Sequence, residues 1–513
     1  MTVPAVTLTP RTGSGLGAGV SAGQLLRLAS RDDFHRWEQQ LTATGNCANP
    51  IRLDGKVTAI DRATGQTATL YDTATEPGGV LRIPCGNRRE HVCPACAEVY
   101  KGDARQIIRA GLTGGKDIPD TVASHPCVFA TLTAPSFGPV HTRRTDSRSR
   151  KLPCRPRRDV NQRRCPHGRD ISCNRTHHES DPRLGTPLCP DCYDYTGHVL
   201  FNALAPELWR RFTIYLPRYL ARLLGITQKQ LRGEVRVRFV KVAEYQARGI
   251  VHYHAVIRLD AASADYQPPP VLYTTALLDD AIRQAAAAVF CDTADYIARA
   301  ILRDLPPDIR DTASVPVVDP LLGRMLRFGT QIDVRVIRDN GTLPGTGRAL
   351  SPQAVANYIA KYATKTTSAP GLPDRAIGSS EAISRLACNQ HHKQIIATVW
   401  RLGCNGDAEC LVLLRWTHML GYRGHFLTKS RRYSVTFGQL RAARIDYRRA
   451  QQHPGGEHDP WGRPLDEHVV LVVGTWTYAG SGHDNTAERA LALSAAARAR
   501  ERDRIAREET QMN

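Results

Sequence analysis

The stretch 234-EVRVRFVKVAEYQARGIVHYHAVIRLD-260 decides how this chain is read. From Val251 to Leu259 the residues alternate. Val251, Tyr253, Ala255, Ile257 and Leu259 fall on one side of an extended strand, an apolar core face, and His252 and His254 share the other. Residues 235–245 alternate as well, and Ala247-Arg248-Gly249 supplies a tight connection, so a β-hairpin is expected. A turn centred on Arg248 sets Glu244 directly across from His252. Opposed residues project to the same face with Cβ atoms ~4.5–5.5 Å apart. Two imidazoles, a carboxylate and open positions suit a divalent ion that also holds a phosphate oxygen. Glu244, His252 and His254 are therefore candidate metal ligands. A His-x-His pair alone is usually a surface pair; the registered Glu and the segment described next favour the metal.

That segment is 351-SPQAVANYIAKYATKTT-367, which Ser351 and Pro352 open as a helix. Tyr358, Lys361, Tyr362 and Lys365 are spaced i, i+3, i+4, i+7 and share one face. Val355, Ile359 and Ala363 form a neighbouring apolar stripe able to pack on a sheet. A phenol oxygen can attack a phosphodiester when a metal polarises the phosphate and cations stabilise the developing charge. Alone, such a helix is more often an amphipathic one with packed tyrosines and solvated lysines.

The chain has 513 residues and 42% hydrophobic composition, enough for several cored domains. Its 69 Lys+Arg outnumber 49 Asp+Glu, a net charge of +20, which makes a polyanion the leading partner. The start, MTVPAVTLTPRTGSG, has no basic-then-apolar leader, and no stretch approaches the ~18 apolar residues of a membrane span. A cytoplasmic location is expected, where structural disulfides are rare. TGSGLGAG lacks the Gly-Lys-Ser/Thr ending of a P-loop, and no other ATPase signature is present, so strand unwinding would fall to a partner.

The 14 cysteines then call for metal. Cys85, Cys93 and Cys96, with Cys47 upstream, form a first group; His91 could replace Cys47. Cys165, Cys173, Cys189 and Cys192 form a second. Each group offers four sulfurs around a Cys-x2-Cys knuckle, the number a closed structural Zn²⁺ site needs, so two zinc ions are expected in folding and DNA-docking roles. Cys127, Cys154, Cys291, Cys388, Cys404 and Cys410 show no metal partner in the sequence. The loop between the groups is strongly basic. Arg143, Arg144, Arg148, Arg150, Arg155, Arg157, Arg158, Arg163 and Arg164 are candidate phosphate contacts.

Taken together these pieces resemble the HUH endonucleases. Phe129-Ala130-Thr131-Leu132-Thr133 is similar to the first family motif, His252-Tyr253-His254 to the second, and Tyr358-Ile-Ala-Lys361-Tyr362-Ala-Thr-Lys365 to the two-tyrosine third. The cysteine groups, GIVHYHAVIRLD, YIAKYATK and a GYRGHFLTKSRRYSVTFGQLR tail at 421–441 resemble replication initiators of actinobacterial plasmids and integrative elements, the RepSA type. The resemblance covers roughly residues 45–440. It implies an α+β fold: an HUH domain with a central antiparallel sheet and flanking helices, zinc-binding Cys segments and a C-terminal α/β extension. It further implies rolling-circle initiation at a plasmid origin, on single-stranded or cruciform DNA, with host helicase and polymerase as partners. Mg²⁺ or Mn²⁺ would sit on Glu244, His252 and His254. Tyr362 would attack to leave a 5′-phosphotyrosine and a free 3′-OH, Tyr358 would serve as second nucleophile, and Lys361 and Lys365 would assist the charge.

The expected organisation is a flexible 1–44, a first Cys-rich segment at 45–124, the nuclease domain at 125–367 with its basic insertion at about 141–197, a linker at 368–380 and an accessory region at 381–513. Two alternatives stand beside this reading. A two-tyrosine HUH transposase or relaxase would keep the chemistry and change its context. A non-catalytic, zinc-stabilised DNA-binding regulator would leave the tyrosine face buried or distant from His252.

Overall fold

The structure is a computed structural model that describes residues 20–146, 148, 150–156, 164–304, 314, 318–337, 350–364, 372, 375–404, 411–452, 458–464 and 468–512. Lys365, Arg157, Arg158, Arg163, Cys410 and the TGSGLGAG stretch lie outside the described residues. The protein is mixed α+β with antiparallel sheets. It divides into two compact units, Met1–Asp103 with Phe437–Asn513, and Ala104–Thr436. These units cross the boundaries expected from composition.

In the first unit the strand Ile51–Asp61 pairs antiparallel with Val470–Ser481 over its whole length, from Ile51 opposite Ser481 to Asp61 opposite Val470. Thr67–Asp72 and Leu81–Ile83 complete this sheet. The WTYAG strand and the charged helix read near the C-terminus are present as Val470–Ser481 and Thr486–Met512. The ladder to Ile51–Asp61 ties them to the N-terminal segment. Trp37 and Leu41 pack with Ala492, and the buried Glu488 carboxylate takes Arg31 at 2.9 Å.

The second unit is built on a five-stranded antiparallel sheet. Its order is Ile332–Val336, Cys127–Leu132, Val251–Ala261, Val235–Tyr245, Leu427–Lys429. The hairpin supplies the central and fourth strands, and the strand read at 127–133 is the hairpin's neighbour. The turn centres on Arg248, with Gln246 N–H donating to Ile250 C=O at 2.9 Å. Gly249 takes φ +79° there, and a Cβ on it would meet Leu420, Ile395 and His392 at 3.0–3.3 Å, so both conformation and space demand glycine.

The alternation sorts the two sheet faces. Val128, Ala130, Leu132, Ala243, Tyr253, Ala255, Ile257 and Leu259 join one core with Leu204, Leu208 and Phe212 of the helix Tyr195–Leu224, and Leu278 and Ile282 of Thr275–Ala288. Each Val, Leu, Ile or Phe among them contributes ~1.5–3 kcal/mol on burial. On the opposite face the helix Pro352–Thr364 packs on Val235–Tyr245 and buries Val355, Ala356, Ile359 and Ala360. Truncating Ile359 to alanine would cost ~2–5 kcal/mol and loosen this helix. The Ala-rich stretch at 274–302 is two helices, Thr275–Ala288 and Thr293–Asp304, split by the short strand Phe290–Asp292.

Candidate metal centre and tyrosine helix

The hairpin ladder pairs Glu244 with His252 and Val242 with His254. All three polar side chains therefore project from one face and converge. His252 Nε2 and His254 Nε2 are 2.8 Å apart, and Glu244 Oε2 lies 3.0 Å from His254 Nε2 and 3.3 Å from His252 Nε2. Ligands held ~2.1 Å from a cation at right angles stand ~3.0 Å from one another. The donor set thus fits three adjacent corners of a six-coordinate ion, with the remaining corners left for substrate and water. Desolvation opposes ionisation of Glu244, but hydrogen bonds from the two histidines hold its carboxyl down at about 2. Burial shifts His254 below its ordinary value against the pull of Glu244, which favours the neutral imidazole a metal needs.

Neighbouring strands complete the setting. Thr131, directly opposite His254 on the adjacent strand, places Oγ1 3.1 Å from His254 Nδ1. That contact orients the ring and leaves Nε2 facing Glu244. Phe129 stacks on the same ring, with centroids 5.6 Å apart and planes 9° apart. Neither was picked out from sequence as acting on the histidines; both occupy the segment matched to the first motif, so its pattern carried the signal.

Both tyrosines flank the centre. The Tyr358 and Tyr362 rings lie 5.3 and 5.7 Å from the His254 ring, centroid to centroid, and 4.5 Å from each other. The i, i+4 spacing creates this pair, and the buried stripe beneath holds it against the sheet. Lys361 places its ammonium 5.7 Å from the Tyr362 ring centroid. Desolvation, with the Tyr362 phenol alongside, pushes the Tyr358 hydroxyl well above its ordinary range.

The cysteines gather differently from the sequence grouping. Cys47, Cys85, Cys93 and Cys96 come together, and His91 is outside that set. The sulfurs of Cys47 and Cys93, Cys85 and Cys96, and Cys96 and Cys47 are 3.6, 3.7 and 3.6 Å apart. A tetrahedral zinc at ~2.3 Å from each thiolate requires ~3.8 Å. The second group needs a correction. Cys165, Cys189 and Cys192 are joined by His167, not by Cys173. Cys173 stands instead with His141, Cys154 and His177, so Cys154 does have metal-ligand neighbours. The reason is local: Arg155 and Cys173 form a bridge whose backbone bonds draw Cys173 toward Cys154, away from the Cys189-x2-Cys192 knuckle.

Arg143, Arg144, Arg148, Arg150, Arg155 and Arg164 are all exposed. Arg143 pairs with Glu179 at 3.3 Å and Arg150 with Asp146 at 2.8 Å. Arg143 also lines a cavity of about 600 Å³ shared with Thr133, Ser136, Gln246 and Arg248 at the turn end of the hairpin. Among the described residues no helix is long and apolar enough to cross a membrane.

A family model described as replication initiator protein, pSAM2 (RepSA), matches residues 33–497. A replication initiator protein of Streptomyces ambofaciens is 43% identical over 463 residues, 90% of this chain and 90% of that protein. No solved structure matches the chain. The length of both matches, with the family model spanning the hairpin, the tyrosine helix and every cysteine cluster described above, places this chain in the RepSA family of replication initiator proteins.

Proposed function

We propose that this protein starts rolling-circle replication by cutting one strand at a plasmid origin and joining itself to the 5′ side through a tyrosine, as an HUH endonuclease. The observation that carries this reading is the convergence of Glu244, His252 and His254 on the sheet face where both phenols flank His254. The nuclease domain is assigned to 125–367 with its insertion at about 141–197. Residues 45–124 carry a zinc segment, and 381–513 assist origin binding.

Bound Mg²⁺ or Mn²⁺ on the three ligands would polarise the scissile phosphate. The residues of the chain do the rest. Tyr362 Oη attacks phosphorus and gives up its proton to solvent; the phosphotyrosine ester forms as the bond to the 3′ oxygen breaks, and that oxygen takes up a proton to become the 3′-OH. Lys361, beside the Tyr362 ring, stabilises the negative charge building on the phosphate. Tyr358, whose hydroxyl burial keeps protonated at neutral pH, serves the second, joining step. Exposed arginines of the insertion supply phosphate contacts that set affinity without reading sequence. The chain works in the cytoplasm on single-stranded or extruded origin DNA, and host helicase and polymerase extend the 3′-OH.

The test incubates the protein with an origin oligonucleotide and Mn²⁺ and looks for a covalent adduct on a denaturing gel. Wild type forms it, His252→Ala abolishes it, Tyr362→Phe loses the first cut, and Tyr358→Phe retains it. An adduct that persists in the Tyr358→Phe/Tyr362→Phe double variant would sink the tyrosine mechanism.

A further inference from the structure

The cluster of His141, Cys154, Cys173 and His177 matches neither cysteine group read from the sequence, sharing only Cys173 with the second, and the replication chemistry does not use it. We propose that it holds a zinc ion of its own, so that the basic insertion carries two closed metal sites and the chain three. Its four ligand atoms lie within 4.8 Å of one another. His141 Nδ1 is 3.2 Å from His177 Nε2, and Cys173 Sγ is 3.5 Å from the same nitrogen. A tetrahedral zinc with bonds of ~2.05 Å to nitrogen and ~2.3 Å to sulfur requires separations of ~3.3 and ~3.6 Å. A hydrogen bond between two imidazole nitrogens alone would account for the first distance but not for the two thiols drawn to the same point.

Two independent features support a metal. The first is the support around the ligands. His177 Nδ1 meets Asp181 Oδ2 at 2.8 Å, and Asp181 is itself held by Arg183 at 2.7 Å. This is the carboxylate–histidine–metal relay that fixes which nitrogen faces the ion. The backbone N–H of Thr142 donates to Cys154 Sγ at 3.1 Å, the kind of bond that settles a thiolate. The second is the lack of any other core. Among the described residues from 138 to 188, the buried ones are Cys154, His177, Gly185 and Pro187. Regular structure there is limited to two-residue strands, Arg144–Thr145 and Lys151–Leu152, and isolated bridges. A segment of this length without an apolar core needs a staple. Apart from Pro187, the side chains buried among these described residues, Cys154 and His177, are both metal-ligand types, on opposite arms of the insertion. The two-thiolate, two-imidazole donor set, closed at four, selects zinc over the hard cations.

The zinc content of the full-length protein, measured by elemental analysis and native mass spectrometry, tests this. The His252→Ala/His254→Ala double variant removes the hairpin centre from the count and should hold three zinc ions per chain. Adding Cys154→Ser or His177→Ala to it should lower the count to two, and His177→Cys, which keeps a ligand, should restore three. Asp181→Asn should keep three but release one ion to a competing chelator ~10–100-fold more readily. A count of two in the double variant, or a count that Cys154→Ser and His177→Ala leave unchanged, overturns the site. A protein with three zinc ions that fails to cut DNA would count against the nuclease reading and leave this site standing.

Discussion

Two ligand clusters in this protein are built on opposite plans. Cys47, Cys85, Cys93 and Cys96 offer four thiols from a loop, a strand end and a helix start, all drawn to one point. Glu244, His252 and His254 offer three nitrogen and oxygen ligands from two adjacent strands whose backbone bonds already fix their spacing. In the first the metal would hold the chain together, and no coordination position remains for substrate. In the second the sheet holds the three side chains, and a bound ion would keep further positions for a phosphate. On the proposed reading, a metal that stabilises and a metal that reacts would differ by whether the ion or the backbone structure does the positioning.

The sharpest way to break this contrast is to remove one ligand from each. Structural zinc contributes on the order of 10–16 kcal/mol in small domains at neutral pH, so Cys93→Ser should cost several kcal/mol and lower the melting temperature sharply. His252→Ala should abolish adduct formation while shifting stability by less than about 1 kcal/mol, since the ladder survives. If thermal unfolding found the two variants equally destabilised, the hairpin would depend on its ion as the cysteines do, and the distinction would fall.

A smaller effect addresses the orientation of the reactive site. Thr131→Val removes the hydroxyl beside His254 Nδ1 without changing the strand, and should weaken Mn²⁺ binding by ~10–100-fold in a titration. Unchanged affinity would mean that the sheet alone sets the ring. The zinc count should not move.

The smallest expected effect lies under the hairpin, on its core face. Lys241 is buried against the Tyr253 ring, with its ammonium 4.3 Å from the centroid, and desolvation lowers its pKa to about 7. The folded protein then releases this proton near pH 7, whereas the unfolded chain releases it near 10.5. Between these values the unfolded state binds more protons, so Lys241 makes stability rise with pH across that window and is most costly below it. Lys241→Met should stabilise the protein by on the order of 1–2 kcal/mol at pH 7 and flatten that rise in denaturant titrations, while leaving Mn²⁺ affinity intact. A steeper rise in the variant would show that the ammonium is held by its ring and carbonyl neighbours more strongly than burial opposes it.

Much of the candidate site's geometry was legible because its information is short-range. A period of two from Val251 to Leu259, a turn centred on Arg248 and a 3.6-residue period from Tyr358 to Lys361 each need only a dozen residues. Thr131 was harder, since its partnership with His254 depends on which strand lies beside the hairpin. His141 and His177 were harder still. Neither sits in a Cys-x2-Cys knuckle, and the Cys173-x3-His177 spacing, the one local hint, competes with the fourth sulfur that Cys173 offers the second group.

By itself the sequence determined the hairpin, the register that faces Glu244 with His252, the two phenols on one helix face and a supply of metal-binding cysteines, because backbone periodicity and turn chemistry act between near neighbours. Only the tertiary structure decided that the tyrosine helix lies on the histidine face, that Ile51–Asp61 finds its partner in Val470–Ser481, and which ligands share an ion. A ligand set is chosen by the way distant segments close in space. Every cysteine or histidine of the right type is interchangeable until a strand pairing or a bridge, such as Arg155 with Cys173, brings some together and carries others away.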